Sequence, residues 1–429
     1  MNGITLKRIL QPLRSAVFKV SATLSVAGFS CISPASAQVS IFHNDAKTGI
    51  GSWLNDVTLK GQIEGGITAN PARPADGINY GNFFGDHANQ VQLDQVYLTL
   101  SRDIDPAKSD WQIGFNLQAL YGSDARYYHL LGISDRMTSD RYQFIPAQAH
   151  IDVHAPIITK GGLDMQAGIL QAPMGREGMD PMSRQFYTLA YTSEYAVPFE
   201  HVGAMFNLHV DDRYDVLFGL DTGNQTTFGR RDNNDEPAAY FGLNIHHLLH
   251  DKLDITYLGR VGPENSIRAL GHRANTAQRF WNDLSAAYKI SDKVTLTGEF
   301  NFLHDEGLRA ETYSFVSFLT WDVSPSFSFN YRGEIFRDNT GLMVASFLDN
   351  RSYMNAIAGK TSYAVSAPPT TYGALTLGVS YHPDLGHHIR TFAIRPEIRF
   401  DRSLNGTSPF NAGRNTGMFT FGGDAVLGF

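Results

Sequence analysis

His150, Asp152 and His154 alternate along one stretch of chain, a spacing that turns all three side chains to the same side of a strand. Such neighbours lie about 7 Å apart, so two of them could share an ion. Three polar groups facing water explain the pattern as well, and no metal or other cofactor is assigned. A larger set of charges repeats the same geometry on other stretches. Lys60, Arg260, Arg279, Lys289, Arg332, Arg395 and Arg399 fall on one face of their strands. Glu64, Asp164, Asp215, Asp254, Asp283, Glu299, Glu334 and Glu397 share that face. Unpaired in a dry core, each would cost several kcal/mol, so water is expected inside, on this face. Facing charges of both signs are also the means by which pores set ion preference.

A second concentration of charge lies in the connection 172–200, which carries Arg176, Glu177, Asp180, Arg184, Glu194 and Glu200. Pro173, Pro181 and Pro198 would stiffen it, as a loop held against a wall requires. The expectation is that it folds inward and that Arg176, Glu177, Asp180, Arg184 and Glu194 form a constriction. Its acids, with an overall excess of negative charge, suggest a modest preference for cations. No Walker-type glycine loop, nucleophile-elbow serine or cysteine cluster occurs. No catalytic residue is therefore assigned, and the chain is not read as an enzyme.

The elements that must position these residues all share one period, and it is two. In the stretch 294–302, Val294, Leu296, Gly298, Phe300 and Phe302 face one way, and Thr295, Thr297, Glu299 and Asn301 the other. Runs of this kind occur about sixteen times: 57–69, 91–104, 110–123, 144–156, 162–171, 201–210, 214–222, 240–249, 252–261, 278–290, 293–304, 312–322, 326–337, 371–382, 388–401 and 416–429. Long connections (70–90, 124–143, 172–200, 223–239, 262–277, 338–370, 402–415) alternate with short turns such as Asp211-Asp212 and Ser291-Asp292. Only the link near Asp305–Glu311 is short where a long one is due. This alternation predicts an all-β fold, an up-and-down antiparallel transmembrane barrel with short periplasmic turns and long extracellular loops. A soluble sandwich would need turns every 8–12 residues.

Aromatic residues sort to the strand ends. Trp111, Tyr214, Tyr288, Trp321, Phe327, Tyr381 and Phe429 fall at the short-turn end of outward faces, and Tyr121, Phe241, Tyr313, Phe400 and Phe419 at the other. Two belts of amphipathic rings are expected where a barrel meets lipid headgroups, so outer-membrane lipid is an expected partner. Residues 1–37 read as a signal peptide, with Lys7, Arg8, Arg14 and Lys19 ahead of a short apolar stretch, and Ala35-Ser36-Ala37 at the cleavage point. Residues 38–56 read as a short periplasmic lead-in, and 57–429 as the barrel.

The chain carries 35 basic and 42 acidic side chains, a formal charge of −7. Without the four leader cations, 31 stand against 42, and the charge is −11. That balance argues against a nucleic-acid partner. The single cysteine, Cys31, lies in the leader, so no disulfide or cysteine metal site is expected beyond it.

Several stretches together resemble the OmpL-like β-barrel porins of Gram-negative bacteria. They are Leu59-Lys-Gly-Gln-Ile-Glu-Gly65, Leu93-Asp-Gln-Val-Tyr-Leu98 and Gln148-Ala-His-Ile-Asp-Val-His-Ala-Pro156. Gly168-Ile-Leu-Gln-Ala-Pro-Met-Gly-Arg-Glu177, Pro198-Phe-Glu-His-Val-Gly203 and Arg395-Pro-Glu-Ile-Arg-Phe-Asp401 complete them. Tyr187-Thr-Leu-Ala-Tyr191 departs from the Tyr-Ser-rich stretch expected at that place. The resemblance implies an outer-membrane channel for passive diffusion of small hydrophilic solutes or ions, without catalytic residues. Its pore would be lined by Lys60, Glu64, Arg260, Arg279, Glu299, Arg332, Glu334, Arg395, Glu397 and Arg399. The final strand ends on Phe429, which resembles the signal read by the outer-membrane barrel-assembly machinery. The sequence also admits a homo-oligomer. The alternative classes are an adhesin or structural barrel and a barrel hydrolase, separated from a channel by conductance, surface binding and turnover.

Overall fold

A computed structural model describes residues 39–40, 42, 48–105, 109–137, 141–229, 232–346, 355, 357–360, 367–385 and 391–429. The expected leader 1–37 lies outside the described residues. Sixteen long strands follow: β1 (Thr58–Ala69), β2 (Val91–Arg102), β3 (Gln112–Gly122), β4 (Gln143–Ala155), β5 (Leu163–Gln171), β6 (Glu200–His209), β7 (Tyr214–Asp221) and β8 (Ala238–His247). They continue as β9 (Leu253–Pro263), β10 (Gln278–Ser291), β11 (Val294–Asp305), β12 (Ala310–Ser324), β13 (Phe327–Asp338), β14 (Thr370–Tyr381), β15 (Thr391–Ser403) and β16 (Gly417–Gly428). Each pairs antiparallel with its neighbour in sequence, and β16 pairs with β1 from Phe421↔Ala69 to Gly428↔Gln62, which closes the barrel. The link between β11 and β12 is the brief one among the long loops, as the sequence indicated.

The period-two pattern becomes the two faces of the wall. On β11, Phe300 is 47% exposed while its neighbours Glu299 and Asn301 are fully buried. The ring-bearing positions at the strand ends, among them Trp111, Trp321, Tyr381, Tyr121 and Phe400, are exposed on the outside. At the seam, Phe429 exchanges two backbone hydrogen bonds with Gly61, each 2.9 Å. A Cβ on Gly61 would meet the Phe429 ring at 2.2 Å, so the terminal ring can lie over this strand only because residue 61 is glycine. Ahead of β1, helix α1 (Gly49–Asn55) docks at the short-turn end, its Trp53 indole donating to the Ile113 carbonyl at 2.9 Å.

Every barrel strand thus has a neighbour on both sides and no edge is left to pair or to fray. Folded protein is therefore expected to resist SDS until boiled and to shift in mobility afterwards. Identical migration of boiled and unboiled samples would contradict a closed barrel.

The interior is not a bare channel. At loop level Phe83, Phe84, Tyr127, Tyr128, Tyr191, Tyr195, Phe336, Tyr372 and Phe410 pack into one apolar cluster drawn from four loops and the wall. The Phe83 and Tyr127 rings stack at 4.4 Å and those of Tyr191 and Tyr372 at 4.8 Å. Loops 70–90 and 124–137 are clamped together by the Asp86 carboxylate, which accepts from Arg126 at 2.9 and 3.0 Å. Burial would raise the Asp86 carboxyl, but Arg126 and His87 outweigh it and hold it at about 2.

Candidate functional site

The residues 172–200 cross the inside of the barrel and are held there by the charged wall. On β13, the Glu334 carboxylate accepts the backbone N–H groups of Tyr191 (2.8 Å) and Thr192 (2.7 Å) and the Thr192 hydroxyl (2.7 Å). On β15, Glu397 accepts from the N–H groups of Tyr187 (2.9 Å) and Thr188 (3.3 Å) and from the Thr188 hydroxyl (2.5 Å). Arginines alternate with these acids along the same strands and bind the loop's carbonyls. Arg332 donates to Thr188 O at 2.6 Å, Arg399 to Leu189 O at 2.5 Å and Arg395 to Arg184 O at 2.7 Å. Period two places each arginine one step from an acid on the inner face, so the wall offers donors and acceptors in the order a backbone needs.

The loop's own charges complete the network. Glu177 meets Arg332 at 2.6 Å and also takes the Ala190 N–H at 2.7 Å. Arg184 bonds Glu64 at 3.2 Å and lies 4.8 Å over the Phe84 ring. Arg395 bridges Asp424 and Glu64. Arg399 pairs with Asp401 at 2.9 Å. Arg176 lies 5.6 Å over the Phe318 ring. Asp180 is exposed, caps the turn at Met182 and accepts from Gln62 at 3.1 Å. Glu194 is buried and accepts the Phe83 N–H at 2.8 Å. Burial pushes its carboxyl well above the usual range, against the opposing pull of Arg399 and Arg332.

These contacts correct two expectations. The inward charges were expected to need water as their only solvent; most are instead solvated by one another and by the loop backbone. Hydrogen-bonded opposite charges offset the desolvation that would otherwise expel them from a buried site. The acids of the loop were also expected to act as a cation filter. Glu177 is neutralised by Arg332 and Glu194 is held towards its uncharged form, which leaves Asp180 as the exposed acid of the three.

The other expected wall residues stand apart from this lock. Arg260 binds Asp221 (2.6 Å) and Glu264 (2.5 Å) and lies 4.6 Å over the Trp281 ring. Arg279 binds Asp305 at 2.5 Å. Glu299 is fully buried on β11, and Lys60 reaches Asp103 at 3.4 Å near the short-turn rim. His150 and Asp152 pair at 3.0 Å, but His154 turns to Asp164 at 2.6 Å, so the trio does not converge. Among the described residues no cluster is arranged to hold a metal. Tyr187, Thr188, Tyr191 and Thr192 give the lock four backbone N–H groups, which no side-chain pattern could announce, and the two threonines add their hydroxyls. Asp401 and Asp424 obey the alternation and could have been read from it.

Two cavities flank the crossing. One of about 120 Å³ opens beneath the loop, lined by polar groups including Arg184, Gln185, Thr320, Asn330, Ser380 and Arg395. Another, about 30 Å³, lies between Phe83, Tyr127, Glu194, Tyr195, Phe199 and Trp281. The latter has room for about two waters.

Residues 56–429 match the family described as "Putative beta-barrel porin-2, OmpL-like". Comparison with curated protein sequences returns no match. Among solved structures the chain is similar to the outer-membrane channel DcaP of Acinetobacter baumannii, at 11% identity and a TM-score of 0.54, covering 87% of this chain and 97% of that one. It is also similar to an anion-selective porin from Comamonas acidovorans (12% identity, TM-score 0.55, 87% and 99% covered). Pseudomonas putida OprB gives 12% identity and a TM-score of 0.54, with 89% and 96% covered. At such identities these likenesses speak to the fold.

Proposed function

The chain belongs to the OmpL-like β-barrel porin family, and from that membership we propose how this outer-membrane porin works. Small hydrophilic solutes and ions diffuse passively through the barrel, past the constriction made where 172–200 crosses the lumen. The observation that carries this reading is the double lock of that loop onto Glu334 and Glu397. A loop so held narrows a barrel of sixteen strands, a size that otherwise leaves an aqueous channel. Arg176, Glu177, Asp180, Arg184 and Glu194 frame the constriction, and Glu64, Arg332, Arg395 and Arg399 anchor it from the wall. Lys60, Arg260, Arg279 and Glu299 line the barrel away from it. Passage makes and breaks no covalent bond, so no catalytic residue is assigned.

In the same reading, residues 1–37 are removed near Ala37, 38–56 form a periplasmic lead-in, and Phe429 presents the terminal strand to the assembly machinery. The exposed ring of Phe429 beside Gly61 supports its availability at the seam. The test is recording from refolded protein in planar bilayers with KCl on both sides. Discrete, ohmic conductance steps are expected. Heat-modifiable protein that conducts nothing would overturn the channel and promote the adhesin or hydrolase readings.

A further inference from the structure

Three consecutive hairpins repeat one arrangement on their inner face at the short-turn end. Each descending strand carries a histidine as its last or next-to-last residue, and each ascending strand an aspartate as its second. The pairs are His154 and Asp164 on β4–β5, His209 and Asp215 on β6–β7, and His246 and Asp254 on β8–β9. Side chains link them sideways into a belt. His154 Nδ1 meets Asp164 at 2.6 Å, and the other oxygen of Asp164 meets His209 Nε2 at 3.0 Å. His209 Nδ1 meets Asp215 at 2.9 Å, and the second oxygen of Asp215 meets His246 Nε2 at 3.1 Å. His246 Nδ1 faces Asp254 at 3.9 Å, and that carboxylate also accepts the His247 N–H at 3.1 Å. His150 and Asp152 extend the belt on β4, with Gln166 of β5 donating to Asp152 at 2.9 Å.

The ionic partners decide what this belt can do. Glu64, Glu177, Asp221, Glu264, Asp305, Asp401 and Asp424 each pair with an arginine, whose charge is permanent. Among the described residues, Asp152, Asp164, Asp215 and Asp254 form ion pairs only with histidine. Histidine is the side chain whose charge ordinarily changes between pH 5 and 8. A carboxylate only accepts, so a ring with a carboxylate on each nitrogen must carry both protons; His209 is in that position. The belt is wetted from the lumen, the His209 and His246 side chains being 14% and 12% exposed. Of the turn charges beside it, Lys160, Arg213 and Asp251 point to solvent, and Asn207 is the neutral neighbour on β6.

We propose that this histidine–carboxylate belt is a specificity determinant of the periplasmic mouth, giving a cation preference at alkaline pH that is withdrawn as the pH falls. Four carboxylates with His209 alone as imidazolium leave a net −3 on the arc, and every further imidazolium removes one unit of that charge. Every permeating ion crosses this mouth, whichever path it takes past the loop. The proposal rests on the channel reading, and its test separates the two.

Reversal potential is measured across a tenfold KCl gradient with about 10 mM on the dilute side, where the screening length is roughly 30 Å. For the natural protein, the cation-to-anion permeability ratio is expected to fall severalfold between pH 8 and pH 5. The variant His150→Gln/His154→Gln/His246→Gln should keep its pH 8 ratio at pH 5. Asp164→Asn/Asp215→Asn leaves two carboxylates on the arc and should show at pH 8 a lower cation-to-anion ratio than the natural protein. Heat-modifiable migration establishes that each variant has folded, and either variant alone suffices for the test. A natural ratio that does not move with pH, one that moves equally in the folded histidine variant, or a pH 8 ratio unchanged in the folded aspartate variant overturns the belt. Absence of conductance at every pH overturns the channel reading itself.

Discussion

Replacing Glu334 and Glu397 together by alanine is expected to free the loop 172–200 while leaving the barrel closed. Each carboxylate takes two backbone N–H groups and one hydroxyl from the loop, all of them buried. Bonds to a charged acceptor contribute about 1.5–3 kcal/mol each, and buried donors left without a partner cost a further 1–3 kcal/mol. Losing even one such bond at each site, a total of about 3 kcal/mol, raises the population of the released loop about a hundredfold. Trypsin cleavage after Arg176 or Arg184 reports that population, because proteolysis of a transiently opened segment follows its equilibrium fraction. The strand ladder does not involve these side chains, so heat-modifiable migration should persist, and bilayer currents should become larger and noisier. Cleavage at the natural rate would show that the lock does not hold the loop.

Arginine at Phe300 or Leu377 is expected to destabilise the barrel by roughly 2–4 kcal/mol, the cost of a cation facing lipid near the midplane. Both side chains project outward from mid-strand, at 47% and 43% exposure. The comparison position is Asn116, which alternation turns inward on β3 and which the lumen leaves partly open. Arginine there keeps its charge in water and should cost far less. Urea titration in lipid vesicles measures both, and equal destabilisation at the two kinds of position would reverse the facing assignment.

The wall was legible in the residues themselves. A strand side chain alternates by backbone geometry alone, and a lipid-spanning sheet must hide every N–H and C=O in its ladder. Period, strand number, the sorting of Trp111 or Phe400 to strand ends and the long-short alternation are consequences of those two facts. Family membership was legible for the same reason, since the matching stretches are mostly strand and strand-end sequence. The facing of Arg332, Glu334, Arg395, Glu397 and Arg399 was legible too, but their partners were not.

What fills the inside was decided by the tertiary structure. Alternation states that Thr297 and Thr376 point inward; it does not state that they are 1% and 0% exposed, with Thr376 taking a bond from Arg332. Glu397 binds Thr188, distant by 209 residues, and Glu334 binds Thr192, distant by 142. Such pairings depend on the path of a long loop, which has no period to read and contributes its backbone, a group common to every residue. The belt was hidden for a related reason. His154 reads from the sequence as one of a trio with His150 and Asp152, His209 and His246 as isolated residues, and only the register of six adjacent strands brings each ring to a carboxylate on a neighbouring strand. Local backbone geometry, which sequence encodes directly, sets the face; the sideways order of strands and the course of loops, which arise from closure of the whole barrel, set the partners.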